Sequence, residues 1–214
     1  HIFTSDKSIS LLVDKLSTDL KNVSNWCSAN LFTINATKTE FVVFSMHQKY
    51  SASFPTLTIG SHSIFPSPCA SFLGIFLDSS LKYIDHISHI KKKIAYGIRA
   101  LIKFRPYFTR STLPSIYYSF VHSHFNYGIM CRGNTYDTHL ASLQVLQNQS
   151  IRIITNCSRF SNGKCLLHDN ILTIPELLNY NLSIIFYKYI TKTLPPICFS
   201  SFDLVAQSNT RFAR

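Results

Sequence analysis

Acidic residues are scarce in this chain of 214 residues: ten Asp plus Glu stand against twenty-one Lys plus Arg, for a formal charge of +11. That excess is larger than solubility requires and points to a polyanionic partner, with nucleic acid ahead of an anionic membrane surface. No uninterrupted apolar run approaches the roughly 20 residues needed to cross a bilayer. The first residues hold no charged stretch leading into an apolar one, so neither a span nor a secretory leader is expected. Cys-x-x-Cys pairs are missing. The six cysteines, at 27, 69, 131, 157, 165 and 198, are spaced too irregularly for a disulfide scaffold or a zinc ribbon, and we read them as reduced thiols of an intracellular protein, nucleus or cytoplasm left open. Cys157, Cys165 and His168 lack a fourth ligand at a usual spacing. The pair His86/His89 has no nearby carboxylate beyond Asp85, and His122/His124 straddle both sides of their helix, so no metal site is expected. Gly-x-Ser-x-Gly and Gly-rich phosphate loops are absent as well. Methionine occurs only at 46 and 130, and the chain starts at His1, which leads us to expect a piece of a longer reading frame.

The residues present divide the chain in two. Ser5 to Ser8 offer turn and cap chemistry, and Ile9, Leu12, Leu16, Leu20, Val23 and Cys27 then recur at three- and four-residue intervals, which predicts a helix to about Asn30 with one face against a sheet. Strands are expected at 31–34 and 40–44, joined through Asn35-Ala36-Thr37-Lys38, because β-formers dominate and Asn opens the turn. A Ser/Pro-rich loop follows at 46–56. Gly60-Ser61 predicts a tight hairpin between 56–59 and 62–65, and 71–77 completes a small antiparallel region. From about Leu81 the period is helical. Helices are predicted to Pro106, around 113–124, around 140–154, and from Pro175 to about Thr191. The tail from Ser200 has little periodicity and is expected to pack poorly.

The charge is concentrated. Residues 82–110 hold Lys82, Lys91, Lys92, Lys93, Arg99, Lys103, Arg105 and Arg110 against Asp85 alone, a net +7 in under a seventh of the length. Lys92, Tyr96, Arg99 and Lys103 follow helical intervals and share one face. A cationic face carrying an aromatic can track a phosphate backbone. The plain alternative is a solvated helix face. From the residues alone, Lys38 is an exposed turn lysine, and Gly74 is a bulge glycine in an ordinary strand.

In order along the chain stand Asn25-Trp26-Cys27, Ile34-Asn35-x-x-Lys38-Thr39, Phe72-Leu73-Gly74 with Leu77-Asp78, Tyr127-Gly128-Ile129 leading to Gly133-Asn134-Thr135, and Leu146-Gln147 followed by Ile151-Arg152-Ile153-Ile154. This series resembles reverse transcriptases of non-LTR (LINE-type, jockey-like) retrotransposons, in the C-terminal palm and thumb portion. The resemblance implies an α+β class, with a partial palm (a helix, a small antiparallel sheet and a hairpin) over 1–80. It further implies a thumb-like helical bundle over 81–160, and a helical extension with a loose tail over 161–214. The implied function is as a fragment of an RNA-directed DNA polymerase that binds RNA template and DNA primer as a duplex, together with a missing N-terminal polymerase portion.

In the family, Mg2+ supports the reaction, and the aspartates that hold it lie upstream of the position of His1. The chain should therefore be inactive alone, with no cofactor of its own. The resemblance makes Lys38 the candidate general acid toward the pyrophosphate leaving group. It makes Phe72, Leu73 and Gly74 a primer grip, and it strengthens Lys91, Lys92, Lys93, Tyr96, Arg99, Lys103 and Arg105 as nucleic-acid-binding residues. The sequence departs from the family pattern at Arg132, where Trp is usual, and at Asn148-Gln149, where basic residues are common. The alternative reading is a non-catalytic nucleic-acid-binding remnant of a mobile element.

Overall fold

The computed structural model of the chain describes residues 1–44, 54–133, 135–157, 171–196 and 198. Most of the 46–56 loop, Asn134, Cys165, His168 and the tail from Ser200 lie outside the described residues. The chain divides into two compact units, His1–Ile90 and Lys91–Arg214. The α+β expectation is met by two small antiparallel two-stranded sheets together with a series of helices.

In the first unit, helix α1 (Ile9–Ala29) carries the periodic apolar stripe, yet none of its residues is buried. The helix ends in a Schellman arrangement, with Phe32 N–H donating to the Cys27 carbonyl at 2.8 Å and Leu31 N–H to Ser28 at 3.2 Å. Leu31 occupies the left-handed position at φ 61 that glycine usually fills, and it is 95% exposed. This closure uses the residues read as the strand 31–34, so that strand does not form. The strand expected at 40–44 is also missing. It is reduced to one parallel bridge from Phe41 to Pro66, with Ser67 N–H donating to the Phe41 carbonyl at 2.8 Å. Pro66 has no N–H with which to extend a ladder.

The first hairpin is close to expectation, β1 (Leu57–Ile59) pairing with β2 (His62–Ile64), and Leu57, Ile59 and Ile64 are buried. The segment 71–77 is two strands of a second hairpin. In it β3 (Cys69–Phe72) pairs with β4 (Ile75–Asp78) in the register Phe72↔Ile75. Both loop residues, Leu73 at φ 48 and Gly74 at φ 77, are left-handed, the requirement of a two-residue type I′ turn. Gly74 is thus a turn glycine and not a bulge glycine.

After β4, the Asp78 carboxylate gathers the loop into helix α2 (Ile84–Phe104). It accepts hydrogen bonds from Ser80 N–H at 3.1 Å, the Ser80 hydroxyl at 2.7 Å, Lys82 N–H at 3.0 Å and Tyr83 N–H. Leu81 and Tyr83 adopt left-handed φ of 53 and 57 within that loop. Partial burial raises the pKa of Asp78, but these hydrogen bonds outweigh it and hold the carboxyl below its ordinary value. Ile75, Ile87 and Ile90 are buried, and the rings of His86 and His89 lie against Phe76, whose N–H donates to His86 Nδ1 at 3.4 Å.

The second unit is helical. The α2 stripe continues as buried Ile94, Ile98 and Leu101. Helix α3 (Leu113–Tyr117) runs into a π turn (Tyr118–His122) and α4 (Ser123–Asn126), burying Leu113, Tyr117, Val121 and Phe125 on one side. Gly97 permits the close approach of α2 to this segment, because a Cβ there would sit 2.4 Å from the Phe120 carbonyl oxygen. Gly128, left-handed at φ 65, separates α4 from α5 (Ile129–Arg132). Helix α6 (Asp137–Thr155) buries Leu143, Gln147, Ser150, Ile151 and Ile154. Helix α7 (Ile174–Ile190) opens with a capping box between Thr173 and Glu176, with Pro175 in its first turn as expected.

Polar groups enter this core in two ways. Gln147 is fully paired: Nε2 donates to the Leu172 carbonyl at 2.8 Å and to Tyr117 Oη at 3.3 Å, and Oε1 accepts from Gln144 at 2.8 Å. Arg132 is completely buried and donates to the carbonyls of His124 and Phe125, while its Nε and one terminal nitrogen have no hydrogen-bond partner among the described residues. Burial pulls its guanidinium down to about 10.

Candidate nucleic-acid interface

Helix α2 arises because isoleucines recur at helical spacing and Pro106 stops the helix two residues beyond its end. At 3.6 residues per turn, burying Ile94, Ile98 and Leu101 turns Lys92, Tyr96, Arg99 and Lys103 to the opposite side. All four are exposed, as are Lys93 and Arg105, while Lys91 is half-buried at the edge of the apolar stripe. The Arg99 guanidinium lies 5.5 Å from the centre of the Tyr96 ring, which is 69% exposed. An Arg stacked on an open ring presents both an anion-binding fork and a surface on which a base or sugar can rest. None of Lys91, Lys92, Lys93, Arg99, Lys103 and Arg105 has an ion-pair partner among the described residues, so the positive field of this face is uncompensated.

Of the other candidates, Lys38 ends a short 3₁₀ turn (Ala36–Lys38) that Asn35 organises. The Asn35 side-chain oxygen accepts from the Lys38 N–H at 3.2 Å and from the Thr37 hydroxyl at 2.6 Å. The Lys38 side chain is exposed. Phe72, Leu73 and Gly74 form the tip of the β3–β4 hairpin. Phe72 is held by edge contacts to the rings of His1 (4.5 Å) and Phe3 (6.1 Å), and Leu73 is 70% exposed despite being apolar.

Mg2+ is the ion that the resemblance implies for the family's reaction. Among the described residues no three His, Cys, Asp or Glu side chains converge to hold an ion, and no catalytic step is derived through one. Also among the described residues, no helix is long and apolar enough to cross a membrane. Reading the sequence missed Arg152. It stands alone among isoleucines with no charge run to draw attention, and it lines a groove together with Arg105.

Comparison with known proteins supports the family resemblance. The chain is 24% identical over 164 residues to the probable RNA-directed DNA polymerase from transposon X-element of Drosophila melanogaster, covering 75% of this chain and 18% of that protein. It is 26% identical over 168 residues to the probable RNA-directed DNA polymerase from transposon BS, covering 77% of this chain and 18% of that protein. With the RNA-directed DNA polymerase from mobile element jockey it shares 25% identity over 179 residues, covering 82% of this chain and 19% of that protein. The chain thus spans under a fifth of the length of each of these relatives. No family model and no solved structure matches it.

Proposed function

We propose, from its similarity to RNA-directed DNA polymerases of non-LTR mobile elements, that this chain is the palm-end and thumb portion of such an enzyme and grips the template-primer duplex. The observation that carries this reading is the uncompensated cationic side of α2. Phosphates neutralised by Lys and Arg release condensed counterions, so each contact adds affinity that salt removes. Such contacts fix the register of a duplex without reading its sequence.

Leu73, exposed on a turn that disfavours it, supports a contact role for the hairpin tip. Lys38 is proposed as the proton donor to the leaving group once the rest of the polymerase supplies the carboxylates. Helix α1 buries no residue and leaves Trp26 and, just beyond it, Phe32 open to solvent, which supports a further polymerase portion as its partner.

The experiment is a fluorescence anisotropy titration of a labelled RNA/DNA hybrid with wild-type chain and with Lys92, Arg99 and Lys103 together changed to Ala. Three lost phosphate contacts should weaken binding alike on any sequence and make the log affinity versus log salt slope shallower by about 2–3. A wild-type slope in the triple variant overturns the assignment.

A further inference from the structure

Within Lys91–Arg214, the end of α2 and the C-terminal part of α6 line an open-sided groove of about 440 Å³. Arg105 and Arg152 supply its charge, Gln149 adds an amide, and Ile102, Val145 and Ile153 form aliphatic walls; no Asp or Glu takes part. Arg152 Nε is buried and has no hydrogen-bond partner among the described residues. Two guanidinium groups lining one groove with no carboxylate between them suit an anion that brings its own acceptors. At 3.6 residues per turn, Ile102 is rotated about 90° from the centre of the Lys92–Lys103 face, so the groove opens on the flank of that face.

We propose that this groove is a second seat for the phosphate backbone of the same nucleic acid. Arg152 and Arg105 take one phosphodiester between them, and Gln149 donates an amide N–H to it. Ile102 and Val145, 52% and 63% exposed, pack against the adjoining sugar. The inference rests on the reading of α2 as a duplex contact. An acidic protein segment would meet the same two arginines. The six cations between Lys91 and Arg105, the last of which lines the groove, favour a polymer of anions that passes from one to the other.

The test uses the full chain and the labelled RNA/DNA hybrid between about 50 and about 200 mM salt. Arg152→Gln should lose about fivefold in affinity and make the salt slope shallower by about one, and Arg152→Lys should restore the slope. Arg105→Gln alters an exposed side chain outside the core and should repeat the loss without risk to folding, which circular dichroism checks in each variant. Wild-type slopes in both Gln variants, with a reduced slope in the Lys92/Arg99/Lys103 variant, overturn the groove alone. Wild-type slopes in all three overturn the α2 reading with it. Labelled polyglutamate bound through Arg152, with hybrid binding unchanged by Arg152→Gln, would assign the groove to an acidic protein surface and also overturn the proposal.

Discussion

Replacing Arg132 by methionine is expected to stabilise the helical unit. The guanidinium is fully buried, and no carboxylate among the described residues pairs with it. Burial lowers its pKa from the ordinary arginine value to about 10, which corresponds to a cost of about 3 kcal/mol for keeping the charged form inside. Methionine has a similar reach, no charge and a flexible stem that fills the space. It forfeits the hydrogen bonds to the carbonyls of His124 and Phe125, a loss of about 1–2 kcal/mol. The balance is a gain of about 1–2 kcal/mol.

Urea unfolding followed by circular dichroism at neutral pH should show the midpoint rising by about 0.5 M. The pH dependence has a definite sign. A base with a folded-state pKa below its unfolded value penalises folding below the folded pKa, and the penalty fades as pH rises from about 10 toward the unfolded value. Tyr117, which burial pushes up to about 12, destabilises the fold over much of the same interval as the unfolded chain ionises above 10, but it does so equally in both proteins. The stability difference between variant and wild type should therefore shrink above pH 10. A variant less stable than wild type, or a difference that does not change with alkaline pH, would refute the reasoning.

Leu73→Asn should stabilise the β3–β4 hairpin by about 1 kcal/mol, because Asn tolerates the left-handed conformation that Leu holds at φ 48. If Leu73 touches nucleic acid, the same change weakens hybrid binding while the melting temperature rises; unchanged binding removes it from the interface. Gly97→Ala brings a Cβ to 2.4 Å from the Phe120 carbonyl oxygen, a backbone atom that cannot step aside. A loss of about 1–3 kcal/mol in urea unfolding is expected despite the better helix propensity of Ala, and a neutral result would mean the two segments separate readily. Asp78→Asn removes the charge that gathers the loop before α2, and should cost about 1–3 kcal/mol at neutral pH. Because the folded pKa lies below the unfolded 3.8, that contribution is present above pH 3.8 and disappears as pH falls through the lower folded value, so the variant and wild type should converge in acid.

Much of the fold was legible along the chain, since local period and punctuation are short-range properties. The α1 and α2 stripes, the turn at Gly60-Ser61, the stop at Pro106 and the start at Pro175 each follow from a few neighbouring residues. The cationic face was legible for the same reason, because the spacing of Lys92, Tyr96, Arg99 and Lys103 places them together on any helix. The strands expected at 31–34 and 40–44 failed because strand propensity requires a partner edge. Leu31 and Phe32 were taken by the helix closure, and Phe41 met a proline. Arg132 and Gln147 are both polar residues on helices and look alike in sequence, yet one is a buried cation with unpartnered nitrogens and the other a satisfied hub. The groove lined by Arg105 and Arg152 joins residues 47 positions apart. Periodicity thus determined which residues share a face; which groups are desolvated, and which distant cations line one groove, was decided only by tertiary packing, because burial and convergence depend on what another segment brings alongside.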